Sequence, residues 1–250
     1  MAGTARAVRG GRYRCRVVYR EALPPPALRG EVERVWTVRV ADDAPARVQQ
    51  VLPDGCMDLV WTGRELLVAG PDTAPHPARR EPGDIGAGLR FAPGRLPALL
   101  GVPAVEVRNR RVPLEALRPD LARRALARLE QGASPVPVLL AVTTALPGSP
   151  AEAALRVVSA HLDAGATARD TAEHLGWTER SLHRRCLAAF GYGPAVLRRV
   201  LRFRRAAALL HDGVPIAQAA AAAGYADQPH LSREVRALAG VAPGQLARGA

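Results

Sequence analysis

The side chains best suited to covalent or metal chemistry are three cysteines, Cys15, Cys56 and Cys186, and six histidines, and their spacing argues against both chemistries. The cysteines are odd in number, far apart and without a CxxC pair, so neither a disulfide framework nor a structural zinc site follows. His76 is the only histidine before residue 160, too few for a metal held by several histidines and carboxylates. Cys56 stands beside Asp54 and Asp58, and neighbouring carboxylates raise a thiol pKa rather than lower it, which favours a structural cysteine over a nucleophile. A covalent or redox sensor at Cys56 stays open as an alternative. Asp54 and Asp58 form a carboxylate pair, but Pro53, Asp54 and Gly55 spell a turn and Asp58 opens an apolar run. Trp36, Trp61, Leu89 and Phe91 read as core, with an apolar effector site as the other reading. The expectation is no enzyme, no cofactor and no metal.

The charged residues point elsewhere. The chain has 250 residues and a formal net charge of +12, and all 35 of its basic side chains are arginine. A field of that sign selects polyanions, nucleic acid first, and the guanidinium fork matches phosphate and guanine in a bidentate way. The first 18 residues are charged and lack the apolar stretch of a secretory signal, and no run approaches the roughly 18 apolar residues of a membrane span. A soluble, cytoplasmic protein without membrane partners is expected.

Two kinds of element must hold these residues. From Tyr13 to Leu114, short apolar runs at 35–40, 58–61 and 65–70 alternate with turn signals at 53–55, 70–72, 82–86 and 93–94, the texture of a β-rich sandwich or small barrel. Beyond Leu114 the spacing of Ala, Leu and Arg turns helical, with helices expected near 117–130, 135–146 and 151–162. The fold class is therefore α+β: a β-rich sensor or dimerisation domain over 1–116, a helical connector over 117–160, and an all-α domain over 161–250.

That last stretch contains a repeat. Residues 171–194 match 219–243 by pattern: Gly176 and Gly224 end the first helices, and Leu182 with Leu231, Arg184 with Arg233, Gly191 with Gly240 and Pro194 with Pro243 follow at a constant offset of 49. Each copy is a short Ala-rich helix, a glycine, an aromatic (Trp177 or Tyr225), residues able to cap, and a second helix with a polar, basic face, which is helix-turn-helix grammar. In the first copy Thr178 is the expected N-cap, Leu182, Cys186, Leu187 and Phe190 turn inward, and Arg180, Ser181, His183 and Arg184 form the polar face. Between the copies, 194–213 starts with proline and ends with glycine and reads as one long helix whose Arg198, Arg199, Arg202 and Arg205 can contact phosphates or pair with acids. From 164 to 250 there are 12 arginines against 6 acidic residues, net +6.

Residues 175–185, 201–210, 223–236 and 239–243 together resemble the AraC-type family of bacterial transcription regulators over about 90 residues, 160–248. The resemblance implies two helix-turn-helix units joined by a long helix, with Arg180, Ser181, His183 and Arg184 in the first and Gln228, His230, Ser232 and Arg233 in the second facing double-stranded DNA. Pro229, Leu231 and Val235 depart from the family pattern, which has a serine and two phenylalanines there; a second helix that starts differently and packs less tightly is expected. Segments 51–61, 69–72, 88–94 and 110–117 are similar to the β-rich domain, of unsettled function, that precedes such modules in many actinobacterial regulators. A cupin-like barrel for effector sensing or dimerisation is what that architecture implies, so a small-molecule effector and a homodimer are the further partners expected. The reading is a sequence-specific DNA-binding transcriptional regulator whose two recognition helices read adjacent major-groove segments. Its alternatives are an enzyme or Cys56-based damage sensor carried to DNA by the same module, and a nonspecific nucleoid-binding protein. Effector, operator, direction of regulation and oligomeric state are not encoded legibly.

Overall fold

The computed structural model describes residues 17–147 and 153–248. Cys15, the first four residues of the β-rich stretch expected from Tyr13, and residues 151–152 of the third expected helix lie outside them. The N-terminal half is built on eight strands: β1 (Val17–Ala22), β2 (Val32–Val40), β3 (Arg47–Val51), β4 (Met57–Trp61), β5 (Leu66–Ala69), β6 (His76–Arg80), β7 (Ile85–Phe91) and β8 (Arg111–Pro113). Six of them form an antiparallel sheet in the order β1-β2-β7-β4-β5-β8, while β3 and β6 make a separate two-stranded ribbon. The domain is β-rich as expected, but the large sheet stays open at β1 and β8 and does not close into a barrel among the described residues.

The helices that follow explain why an open sheet suffices. Helix α1 (Arg95–Leu100) and the short α2 (Leu114–Leu117) lead into α3 (Pro119–Glu130) and α4 (Pro135–Ala145), each of the last two begun by a proline in its first turn, where no amide donor is needed. Val138, Leu139 and Val142 of α4 join Leu59, Val68, Leu89 and Phe91 of the sheet in one fully buried core. A helical layer on one face therefore does the work that closure would do in a barrel. Trp61 packs against this core and Phe91 and Leu89 lie inside it.

The C-terminal bundle consists of α5 (Ala153–Asp163), α6 (Ala168–His174), α7 (Glu179–Phe190), α8 (Pro194–His211), α9 (Ile216–Ala222), α10 (Gln228–Ala239) and α11 (Pro243–Ala247). It has two cores. One gathers Val158 and Leu162 of α5 with Leu182, Cys186, Phe190, Leu197 and Leu201. The other gathers Phe203, Ala206 and Leu210 with Ala219, Tyr225, Leu231, Val235 and Leu238. Helix α8 supplies both, its first half to one and its second half to the other; at 18 residues it is about 27 Å long. The segment 117–160 is thus shared out by packing: α3 and α4 belong to the core of the sheet, α5 to the first helical unit.

Candidate nucleic-acid interface

Each half of the C-terminal bundle is a pair of helices joined by a tight turn, and local chemistry fixes where each begins. Thr167 opens α6 through a capping box: its Oγ1 accepts from the Asp170 amide at 3.1 Å, and its own amide donates to Asp170 Oδ2 at 3.0 Å. Thr178 Oγ1 accepts from the Ser181 amide at 3.1 Å and starts α7. In the second unit Asp227 Oδ1 accepts from the His230 amide at 2.6 Å and starts α10. The two capped helices are both 12 residues long and both end at a glycine with positive φ, Gly191 at 81° and Gly240 at 71°.

The offset of 49 therefore holds through the whole second helix. Leu182 and Leu231 are both fully buried, as are Cys186 and Val235. The expected different start and looser packing of the second helix do not occur. Pro229 falls at the second helical position, where its missing amide leaves no bond unmade, and Leu231 and Val235 fill the sites that larger side chains take in the family pattern. The turn glycines Gly176 and Gly224 take positive φ, and the aromatics behind them carry guanidinium groups: Arg185 lies 4.4 Å above the Trp177 ring and Arg202 lies 4.4 Å above the Tyr225 ring.

The eight residues singled out in the sequence divide by environment. Arg180, Arg184, Gln228 and Arg233 are exposed, with Arg180 and Arg184 one turn apart on the outer face of α7. Ser181 and Ser232 are half-buried. His183 is exposed, yet its ring abuts Gly193, where an added Cβ would come within 2.6 Å of His183 Cε1. His230 presents its ring edge-on to Tyr225, with centroids 5.1 Å apart. Through the offset of 49, Arg184 and Arg233 are counterparts, whereas the counterpart of Arg180 is Pro229. The two faces share one arginine position, and the first carries a second guanidinium.

The basic residues of α8 fall into different roles. Arg199 forms a bidentate pair with Glu234 of α10, at 2.7 and 3.2 Å. Arg205 donates to Asp163 of α5 at 2.5 Å and to the Ala223 carbonyl at 3.4 Å. Arg204 turns the other way, to the N-terminal domain, where its Nη1 donates to Cys56 Sγ at 3.9 Å. That contact belongs to an interface the sequence did not announce. Gly55 lies over Leu197, Leu201 and Tyr192, Arg108 donates to the Gly191 carbonyl at 3.2 Å, and the loop 70–75 sets Pro71 against Gly191 and Pro75 near Gly240. The sheet domain therefore sits at the C-terminal ends of both α7 and α10, while their capped first residues are exposed.

Cys56 is buried in this interface, 5% exposed, with its thiol donating to Glu33 Oε2 at 3.4 Å. Burial pushes the thiol pKa well up, and Asp54 and Glu33 push it further. Asp54 accepts the Cys56 amide at 2.9 Å as part of the turn and lies 3.2 Å from Arg90 Nε. Asp58 accepts from Trp36 Nε1 at 2.8 Å, and burial raises its carboxyl to about 6 against the opposing pull of Arg90. The carboxylate pair and the thiol are thus tied into packing and ion pairs. Among the described residues no helix is long and apolar enough to cross a membrane.

Two family models match parts of the chain. Residues 171–249 match a family model described as a helix-turn-helix domain, and residues 20–113 match a domain of unknown function, DUF6597. The chain is similar to the C-terminal domain of AraT, a response regulator from Geobacillus stearothermophilus, at 25% identity over 41% of this chain and 89% of that one, with a TM-score of 0.38. It is similar to a probable AraC family transcriptional regulator from Rhodopseudomonas palustris at 24% identity over 39% and 98%, TM-score 0.34. It is also similar to ToxT from Vibrio cholerae bound to (E)-4-(8-methylnaphthalen-1-yl)but-3-enoic acid, at 12% identity over 84% and 96%, TM-score 0.49. No curated protein matches the chain.

Proposed function

We propose, from the premise that this chain carries an AraC-type helix-turn-helix DNA-binding domain at its C-terminus behind a DUF6597 domain, that it is a transcriptional regulator that binds specific DNA sequences. In this reading α7 and α10 enter adjacent major-groove segments of one duplex. The observation that carries the proposal is the repeat itself: two helices of equal length, each capped at its exposed start, held on one continuous α8. A rigid spacer of about 27 Å is of the size needed to serve grooves about 34 Å apart, since the two helices add their own offset from its ends. Arg180, Arg184 and Arg233 are the exposed guanidinium groups suited to guanine, with Gln228 suited to adenine. Ser181 and Ser232 are placed to reach bases or phosphates only where the backbone comes close, and His183 and His230 serve first as packing groups.

The sheet domain is assigned to sensing or dimerisation, because it grips both recognition helices at their C-terminal caps and can pass a change in its own packing to them. A Cys56-based sensor is disfavoured by the burial of the thiol.

Competition for the protein between a fragment isolated by genome-wide mapping of bound sites and random-sequence DNA, at fixed salt, tests the proposal. The mapped fragment should win by a factor on the order of a thousand or more. Equal competition would leave only a nonspecific DNA-binding protein.

A further inference from the structure

A cleft of about 660 Å³ opens between the two helix-turn-helix units. Its floor is α8, which contributes Arg198, Arg202 and Arg205; one wall is the α5–α6 turn with Asp163 and Gly165, and the other is the end of α9 with Gly224. Three guanidinium groups against one carboxylate leave the cleft at net +2. On α8 the three arginines recur at spacings of four and three, so they share one face of the helix. Leu197, Leu201 and Arg204, which meet the sheet domain, lie on others.

Two of the three arginines have partners at the cleft. Arg205 ties the walls together through Asp163 and the Ala223 carbonyl. Arg202 is stacked on Tyr225, and its buried Nε has no hydrogen-bond partner among the described residues. Arg198 stands close enough to Asp170 to help lower that carboxyl, after the capping bonds from Thr167. A cleft with three guanidinium groups against one carboxylate suits a phosphodiester.

We infer that this cleft receives the DNA backbone that passes between the two recognition helices, with Arg198 and Arg202 contacting phosphate and Arg205 positioning the walls. The inference rests on the DNA-binding reading above. On one face of a duplex, two successive major grooves are separated by a minor groove bordered by phosphates, and a protein that enters both grooves must face those phosphates with whatever lies between its units. Here that element is the arginine face of α8. Such contacts are blind to sequence and add to affinity through counterion release.

The test is binding of the full chain to a random-sequence duplex of about 40 base pairs between about 50 and about 200 mM salt. The double variant Arg198→Ala/Arg202→Ala should make the negative slope of log K against log salt shallower by about 2, and equally for any preferred sequence. The double variant Arg198→Lys/Arg202→Lys should restore most of the slope, which separates lost charge from lost folding. Arg124→Ala/Arg128→Ala, on exposed positions of α3, removes the same charge far from the cleft and should leave the slope unchanged. An unaltered slope in the first variant, with the wild type binding normally, overturns the clamp alone. Equal slope losses in the first and the control variants overturn it too, by assigning the effect to net charge. If the wild type fails to bind any duplex, the DNA-binding reading itself falls.

Discussion

At the scale of single residues, the polar faces of α7 and α10 are unequal copies. Arg184 and Arg233 are exposed counterparts, but Arg180 faces Pro229 in the alignment, so α7 offers one more guanidinium than α10. Replacing Arg184 with alanine should weaken specific binding by about 1–3 kcal/mol and relax the preference at one base pair, read from a panel of single-base operator variants; an unchanged preference would remove its base-reading role. Asp58 gives a second prediction, with its sign set by burial. Its folded carboxyl titrates near 6 against the ordinary 3.8, so the native state holds the proton more tightly than the unfolded chain. That contribution to stability is fully present below about pH 4 and is lost as pH rises through about 6. Asp58→Asn, which keeps the neutral shape beside Trp36, should flatten stability across that window; denaturant unfolding at stepped pH checks it, and an equally steep profile in the variant would assign the titration elsewhere.

At the scale of elements, the glycines after α7 and α10 separate a local requirement from a domain contact. Both take positive φ, which costs any other residue on the order of 1 kcal/mol. A Cβ on Gly240 would meet only Pro75 at an ordinary 3.6 Å, but one on Gly191 would come within 2.5 Å of Pro71 and 3.3 Å of the Ala104 carbonyl. Gly191→Ala should therefore destabilise the protein more than Gly240→Ala by thermal unfolding, and should loosen the sheet domain as judged by proteolysis; equal losses would mean that Pro71 simply yields. The difference also shows what a sequence can reveal. The helix-turn-helix repeat is legible because caps, glycines and buried leucines are local rules applied twice at fixed spacing. The docking of Pro71, Arg108 and Arg204 obeys no spacing, since the partners lie from 83 to 148 residues apart in different domains. For the same reason α3 and α4 look like a connector in the sequence but complete the core of the sheet, which then needs no closure into a barrel.

At the scale of the whole molecule, the sheet domain packs on the helical bundle around Gly191, Leu197, Leu201 and Arg204, and the capped first residues of α7 and α10 are exposed. Cys56, Asp54 and Asp58 in the N-terminal half, which a sequence leaves open to chemistry, are tied into packing, hydrogen bonds and ion pairs. What the fold delivers instead is two capped helices of equal length on either side of one continuous α8. The central claim is that both faces read one duplex at once, and selection of bound sequences from a random DNA pool tests it most directly. The account predicts enrichment of two short elements with centres about 10 base pairs apart, the Arg184→Ala variant losing one element's preference and the Arg233→Ala variant the other's. Enrichment of a single element, or of none, would contradict it.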